Sequence, residues 1–238
     1  MAVYDLHTPG RRVRLSLEYP ETAAYFDAWL CPAAGKDPGL SLRGGDWSYA
    51  RRAGLSRCAE TEFSLLSGAV SEALLPEGIA LFHAAALRFR DRAWLLAGPS
   101  GVGKSTQART LRELYPGDFG VISGDRPVLA LTEGGVWVHP SPWNGKEGWH
   151  GAEAAPLAGI VCLQRGVENA LARLTPRIAA LSVYGAVIHN ASSPDVIRGA
   201  AAFAEKLIKQ VPVWRLCSRD VPDSTRILYE SVFTQEGL

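Results

Sequence analysis

The sequence predicts an α/β fold, a mixed β-sheet with flanking helices, and three observations carry that prediction. Gly98-Pro99-Ser100-Gly101-Val102-Gly103-Lys104-Ser105-Thr106 fills every fixed position of the G-x-x-x-x-G-K-[ST] phosphate-binding loop. That loop follows a short apolar run, Ala93 to Ala97, and opens a helical pattern over 105–114, with Thr106 near its start and Ala108, Leu111 and Leu114 at three-residue spacings. Residues 88–92 have the length of a tight turn between two strand-like runs, 79–87 and 93–97, so the loop strand gains an antiparallel neighbour and the sheet is mixed.

The motif has a physical logic. Its glycines let the backbone curl so that consecutive N–H groups point inward, and the following helix turns its positive end to the same point. Gly98, Ser100, Gly101, Val102, Gly103, Lys104, Ser105 and Thr106 are therefore the candidate phosphate-binding residues. Lys104 is placed to reach the β- and γ-phosphates and Ser105 to ligate Mg²⁺. With glycine near 7% of residues, a chance match to the fixed positions in a chain of this length is roughly a one-in-a-hundred event.

At 238 residues the chain suffices for one α/β domain with a large core, or for that domain plus a small N-terminal addition. Twenty-five Lys and Arg balance 24 Asp and Glu, so no global field favours nucleic acid or an acidic membrane as a partner. The N-terminus lacks a basic segment followed by a long apolar one, and no stretch of 18 apolar residues occurs, so a soluble, cytoplasmic protein is expected. Cys31, Cys58, Cys162 and Cys217 lie far apart with no C-x-x-C pair, which argues against a zinc site or a disulfide framework. No motif encodes oligomeric state, and a homo-oligomer is left open.

Taken in order, residues 1–75 carry the weakest signals and divide from a core over 76–238, either as a small subdomain or as extra strands on the same sheet. Val13, Leu15 and Leu17 alternate with polar residues as in a half-buried strand, and 21–30 suits a short helix. Residues 33–46 read as a loop, and 47–57 alternates imperfectly. An amphipathic helix is expected over 60–75, stopped by Pro76-Glu77-Gly78. After the phosphate-loop helix, 119–123 reads as a strand ending at Gly124-Asp125-Arg126-Pro127. Ligands collect at that edge of a sheet, so Asp125 is the leading candidate for a metal-holding or catalytic acid; an Asp capping the turn before Pro127 is the alternative. Residues 128–131 and 136–139 form a hairpin, and the Pro-, Gly- and Trp-rich stretch 140–150 suits a site-forming loop. Strands over 157–163, 170–174 and 211–217 and helices over 177–190, 194–210 and 224–233 complete the chain.

The run from His83 through Trp143 resembles the HPr kinase/phosphorylase family and relatives with the phosphoenolpyruvate-carboxykinase type of phosphate-loop fold. The resemblance rests on His83-Ala-Ala-Ala before the loop strand, the loop itself, Ile122-Ser-Gly-Asp125, and a hairpin leading into a Pro-Trp loop, in that order. Two departures stand out. The family's adjacent acid pair is here Gly124-Asp125-Arg126, and Lys-Ser is followed by Thr rather than Glu, so a short, diverged member is expected and HPr is not the expected acceptor.

The resemblance implies a phosphate-loop kinase core that transfers a phosphoryl group from ATP, with Mg²⁺, to a hydroxyl on a small protein, a peptide or a free small molecule such as an amino acid. In that scheme Lys104 holds the phosphates, Ser105 and Asp125 hold the metal, and Asp125 alternatively takes the hydroxyl proton. Arg165 is a candidate for neutralising charge on the transferring group, or a surface Arg opening a turn; His83 sits beside the γ-phosphate or is a core histidine. Lys146 and Glu147 contact substrate or nucleotide, with Trp143 packed beneath. A second reading is a nucleotide-binding regulatory module or slow ATPase or GTPase; the guanine-specifying N-K-x-D motif is absent.

Overall fold

The computed structural model describes residues 2–36, 38–44, 47–191 and 193–235. The N-terminal strands β1 (Ala2–Thr8) and β2 (Arg11–Leu17) form a hairpin, followed by the short helix α1 (Thr22–Phe26), and β3 (Leu30–Pro32) and β4 (Ser41–Arg43) complete a four-stranded sheet in the order β3-β1-β2-β4. β2 buries Val13, Leu15 and Leu17, as its alternation predicts. β1 shows no clean alternation: Leu6 turns to the core, while Asp5, on the opposite face with the exposed Val3, is buried against Arg14, its carboxylate accepting from Arg14 Nε at 2.9 Å. Residues 47–52, read from sequence only as an imperfect alternation, form helix α2 (Trp47–Arg52).

Helix α3 (Ala59–Leu74) appears where its apolar stripe predicts. Its Leu66, Val70 and Leu74 share one apolar cluster with Leu6, Val13, Leu15, Leu17 and Phe26 of the N-terminal segment. Glu62, fully buried on this helix, accepts hydrogen bonds from Glu18 N at 2.7 Å, Tyr19 N at 3.1 Å and Thr22 Oγ1 at 2.5 Å, and so fastens the end of β2 and the start of α1 to α3. Glu62→Ala strands these buried donors and is expected to cost about 2–4 kcal/mol. A fall in the urea midpoint at unchanged slope is the expected readout.

The main sheet begins with β5 (Ile79–Leu81), β6 (Ala84–Phe89) and β7 (Arg92–Ala97), from which the phosphate loop leads into α4 (Lys104–Leu114). It continues through β8 (Phe119–Ser123), β9 (Val128–Thr132), β10 (Gly135–His139), β11 (Ala155–Arg165) and β12 (Ala170–Arg173). Helices α5 (Pro176–Tyr184) and α6 (Pro194–Ile208), strand β13 (Val213–Ser218) and helix α7 (Val221–Leu228) close the chain, with a further helical turn over 229–233. The nine strands run β5-β9-β10-β11-β7-β6-β8, with β13 beside the second half of β11 and β12 beyond it. β7 has the antiparallel neighbour β6 and the parallel neighbour β11, so the sheet is mixed, as expected.

Alternation along β7 explains its uninterrupted apolar run. Ala93, Leu95 and Ala97 pack on one side with α5 and α6 residues such as Val183 and Phe203, while Trp94 and Leu96 pack on the other with Ala108 and Leu111 of α4 and Leu228 of α7. A strand covered on both faces loses the polar half of the usual pattern.

Several boundaries differ from expectation: the helix expected over 21–30 ends at Phe26, and residues 41–43, read as loop, pair with β2 as β4. The run 79–87 is not one strand: it breaks at Phe82-His83, where the chain leaves its pairing with β9 for β7 and β8, and His83 N donates to Ala186 O at 2.7 Å. Correspondingly α5 ends at Tyr184 rather than near 190, because 186–188 is drawn into extended contact with 81–83, with Ile188 N donating to Leu81 O at 2.9 Å. α7 starts at Val221 rather than 224, with Asp220 as its cap, the side chain accepting from Asp223 N at 3.1 Å.

Candidate functional site

The phosphate loop joins β7 to α4 as the motif requires. Gly98, Gly101 and Gly103 take φ values of +146°, +75° and +111°, the region that favours glycine. A Cβ on Gly101 or Gly103 would meet nothing within 4 Å, whereas one on Gly98 would come to 2.9 Å from Leu163 O. The loop therefore leans on β11 at its start and leaves an open concavity at its centre. Lys104 is only 8% exposed, and its Nζ contacts His83 Nε2 at 3.0 Å, Gly98 O at 3.0 Å and Pro99 O at 3.3 Å. Burial holds the Lys104 ammonium below its usual range, against the opposing pull of Asp125. A cation desolvated and folded back on its own loop is in place for an anion.

His83 owes its position to the break between β5 and β6, which turns it to the loop. Its Nε2 also lies 3.4 Å from Asp125 Oδ1. One ring nitrogen cannot serve both neighbours at once: unprotonated it accepts from Lys104, and protonated it donates to Asp125.

Asp125 follows β8 on a backbone pinned from two sides. Ala84 N donates to Asp125 O at 2.9 Å, Arg126 N to Trp143 O at 3.0 Å and Gly124 N to Trp149 O at 2.8 Å. Burial pushes the Asp125 carboxyl up, but His83, Arg126 and Lys104 together outweigh it and hold the group below the usual carboxylate range. His83 lowers it as a hydrogen-bond donor, the arrangement in which its Nε2 is protonated, and Arg126 and Lys104 act in the same sense. Arg126 Nε lies 3.3 Å from Asp125 Oδ2, off the line of a hydrogen bond, and its NH1 donates to Ser67 Oγ at 2.6 Å.

The loop 140–150 covers this group. Asn144, Gly145, Lys146 and Glu147 join Ser100, Lys104, Ser105, Thr106 and Asp125 around a cavity of about 380 Å³. Glu147 is tied to α4 by Arg109 at 3.0 Å, and the guanidinium of Arg109 lies 5.7 Å over the Trp149 ring. On its other side the same loop walls a groove of about 430 Å³ that shares Asp125, Asn144, Gly145 and Lys146 with the first cavity.

Of the residues singled out from sequence, His83, Lys104, Ser105, Asp125, Lys146 and Glu147 come together with the phosphate loop. Val102 turns inward instead, against the apolar cluster on the α4 side of the sheet. Trp143 is 3% exposed, donates from Nε1 to Phe63 O at 2.7 Å and meets the groove rather than the phosphate cavity. Arg165 reaches the loop from outside, its NH2 donating to Gly101 O at 2.9 Å, and does not line the cavity with Asp125. Arg126 and Asn144 were not singled out. Arg126 carried a signal, a cation directly beside the leading acid; Asn144 carried none beyond its place in the loop, yet its Oδ1 is buried with no hydrogen-bond partner among the described residues and it lines both cavities.

Gly124 has no room for a side chain. A Cβ there would come to 2.5 Å from Asn144 O and 3.3 Å from Trp149 O, so the covering loop occupies the space of a side chain. Among the described residues no group of three or more His, Cys, Asp or Glu side chains gathers to hold a metal. Ser105 and Asp125 both line the cavity and offer the kind of oxygen donors that a hard divalent cation takes. No helix among the described residues is long and apolar enough to cross a membrane.

No family model matches the chain, and no curated protein matches it. Among solved structures it is similar to the Hpr(Ser) kinase/phosphatase from Coxiella burnetii, with a TM-score of 0.37 and 12% identity over 66% of this chain and 93% of that one. No function follows from a likeness that slight.

Proposed function

We propose that the chain is an ATP-dependent kinase that transfers the γ-phosphoryl group to a hydroxyl of a peptide, a small protein or a free small molecule. The observation that carries this reading is the position of Asp125, the one acid that lines both the phosphate-loop cavity and the groove beside it. In a hydrolase of bound nucleotide the second groove has no task; in a kinase it admits the acceptor.

In this reading Lys104 leaves the carbonyls of Gly98 and Pro99 for the terminal phosphates, and the loop amides hold the rest of the triphosphate. Ser105 and Asp125 would hold Mg²⁺, which would supply positive charge against the phosphates. Asp125 orients the acceptor hydroxyl from the groove side. The acceptor oxygen bonds to the γ-phosphorus as the bond from that phosphorus to the bridging oxygen of ADP breaks, and the hydroxyl proton passes to Asp125 or to water. Catalysis is then mainly positioning and charge neutralisation.

Mass spectrometry after incubation with ATP, Mg²⁺ and a pool of hydroxyl-bearing amino acids and serine peptides tests the reading. Gain of one phosphoryl group on a pool member is expected. ATP loss with release of phosphate alone would favour the nucleotide-binding regulatory module.

The packing at Gly124 yields a further expectation. Gly124→Asp does not supply a second catalytic acid; it pushes the covering loop away, and nucleotide affinity falls by about 10-fold or more, on the ~1–3 kcal/mol scale of an overpacked site. Calorimetric titration with ATP and Mg²⁺ reads this directly.

A further inference from the structure

We infer that the groove beside Asp125 selects acceptors whose hydroxyl lies next to an aromatic ring, and that Tyr25, from the N-terminal segment, is the residue that sets this preference. The inference rests on the kinase reading for its chemistry, but its binding arm does not.

Three rings form one wall of the groove in a near-parallel ladder: Tyr25 on Phe63 at 5.4 Å and 23°, and Phe63 on Trp143 at 5.6 Å and 24°. Phe26 braces the inner two edge-on, at 4.9 Å from Phe63 and 5.4 Å from Trp143. Trp143 is buried and hydrogen-bonded, whereas Tyr25 is 46% exposed and ends the ladder on the open side. Exposed aromatic surface continuous with a buried stack gains from a further ring laid against it.

Charge does not choose the ligand. Glu60 and Asp125 face Arg126 and Lys146 around the groove, two acids against two bases, and Arg126 is already engaged with Asp125 and Ser67. A neutral acceptor fits that balance. The volume, about 430 Å³, lies within the range of small-molecule sites and accommodates a ring together with the short chain that carries a hydroxyl to Asp125. Asn144, whose Oδ1 is buried with no hydrogen-bond partner among the described residues, lines both the groove and the phosphate cavity. The cavity of about 530 Å³ on the far side of the phosphate loop is larger and touches His83, but not Asp125 or any ring of the ladder.

Two neutral peptides, N-acetyl-Ser-Phe-amide and N-acetyl-Ser-Ala-amide, and two alcohols, 2-phenylethanol and ethanol, are the probes. With ATP and Mg²⁺, the ring-bearing member of the peptide pair or of the alcohol pair is expected to show at least ~10-fold higher kcat/KM, as one aromatic contact of about 1.4 kcal/mol gives. Which pair shows it tells whether the ring is met in a peptide or in a free molecule. Tyr25→Ala should remove the preference by raising acceptor KM, with KM for ATP unchanged, and Tyr25→Phe should retain it. Equilibrium binding of N-acetyl-Ser-Phe-amide and of 2-phenylethanol, followed by saturation-transfer NMR, should weaken in Tyr25→Ala whether or not phosphate is transferred. Tyr25-dependent binding without transfer would sink the kinase reading and uphold the groove. Transfer that ignores the ring or Tyr25, binding that Tyr25→Ala does not weaken, or a preference lost instead through Leu181→Arg at the far cavity would overturn the inference.

Discussion

Lys104→Ala is expected to abolish ATP binding and turnover, with a loss of at least ~100-fold in each. The side chain is buried and spans the space between the phosphate-loop carbonyls and His83, whereas Lys146, the other cation lining that cavity, belongs to the covering loop. Losing a buried charged contact to a multiply charged ligand costs about 3 kcal/mol or more, which is the stated factor. The same substitution should leave the nucleotide-free protein at least as stable as the parent. Burial depresses the Lys104 value below 10.5, so at neutral pH the charged amine is less at ease in the fold than in the unfolded chain, a cost that disappears as pH rises towards 10.5. Thermal melts with and without ATP and Mg²⁺ separate the two effects: the midpoint without nucleotide holds or rises, and the shift on adding nucleotide vanishes. A variant that kept that shift would remove Lys104, and the phosphate-loop reading with it, from the account.

Much of the core was legible because its signals are local. A nine-residue motif fixes strand, loop and helix together, and the hairpin before it is short enough for the sheet direction of β6 to follow from the length of the turn. What escaped depends on distant partners. The break at His83 is dictated by Ala186 and Val187, about a hundred residues away, and the run 79–87 on its own has every feature of one strand. β1 hid because Asp5, on the face away from the core, is buried against Arg14 across the hairpin, so a charged residue interrupts the buried pattern. At the site the acid and the lysine could be named, since each ends a readable element. Gly124 looked like a lost acid, but its lack of a side chain is a packing demand of Asn144 and Trp149, which a local reading cannot see. The groove depends on Tyr25, Phe63 and Trp143 meeting from three separate parts of the chain.

Asp125→Asn is expected to leave ATP binding within a few-fold of the parent while lowering turnover by at least ~100-fold. Asparagine keeps the size of the side chain and one oxygen, and the backbone at 124–126 is held by Ala84, Trp143 and Trp149 regardless of it. What it removes is the negative charge between Lys104, Arg126 and His83, and with it a strong acceptor for the incoming hydroxyl. The direction of the Asp125 shift further constrains its role. A carboxyl held below 3.8 is a weak base at neutral pH, so it serves better by orienting the hydroxyl and holding charge than by removing the proton early, in keeping with a loose transition state in which proton loss is late. The turnover profile should then show no acid limb from this group above about pH 4. Its depressed value also stabilises the fold above the unfolded value of 3.8, and that contribution is lost as pH falls through the folded value, so melts of the Asn variant should lack the part of the acid destabilisation that lies below 3.8. Turnover unaffected in the Asn variant would pass the acid's role to Glu147, the other carboxylate on the phosphate-loop cavity, which Arg109 holds over the start of α4.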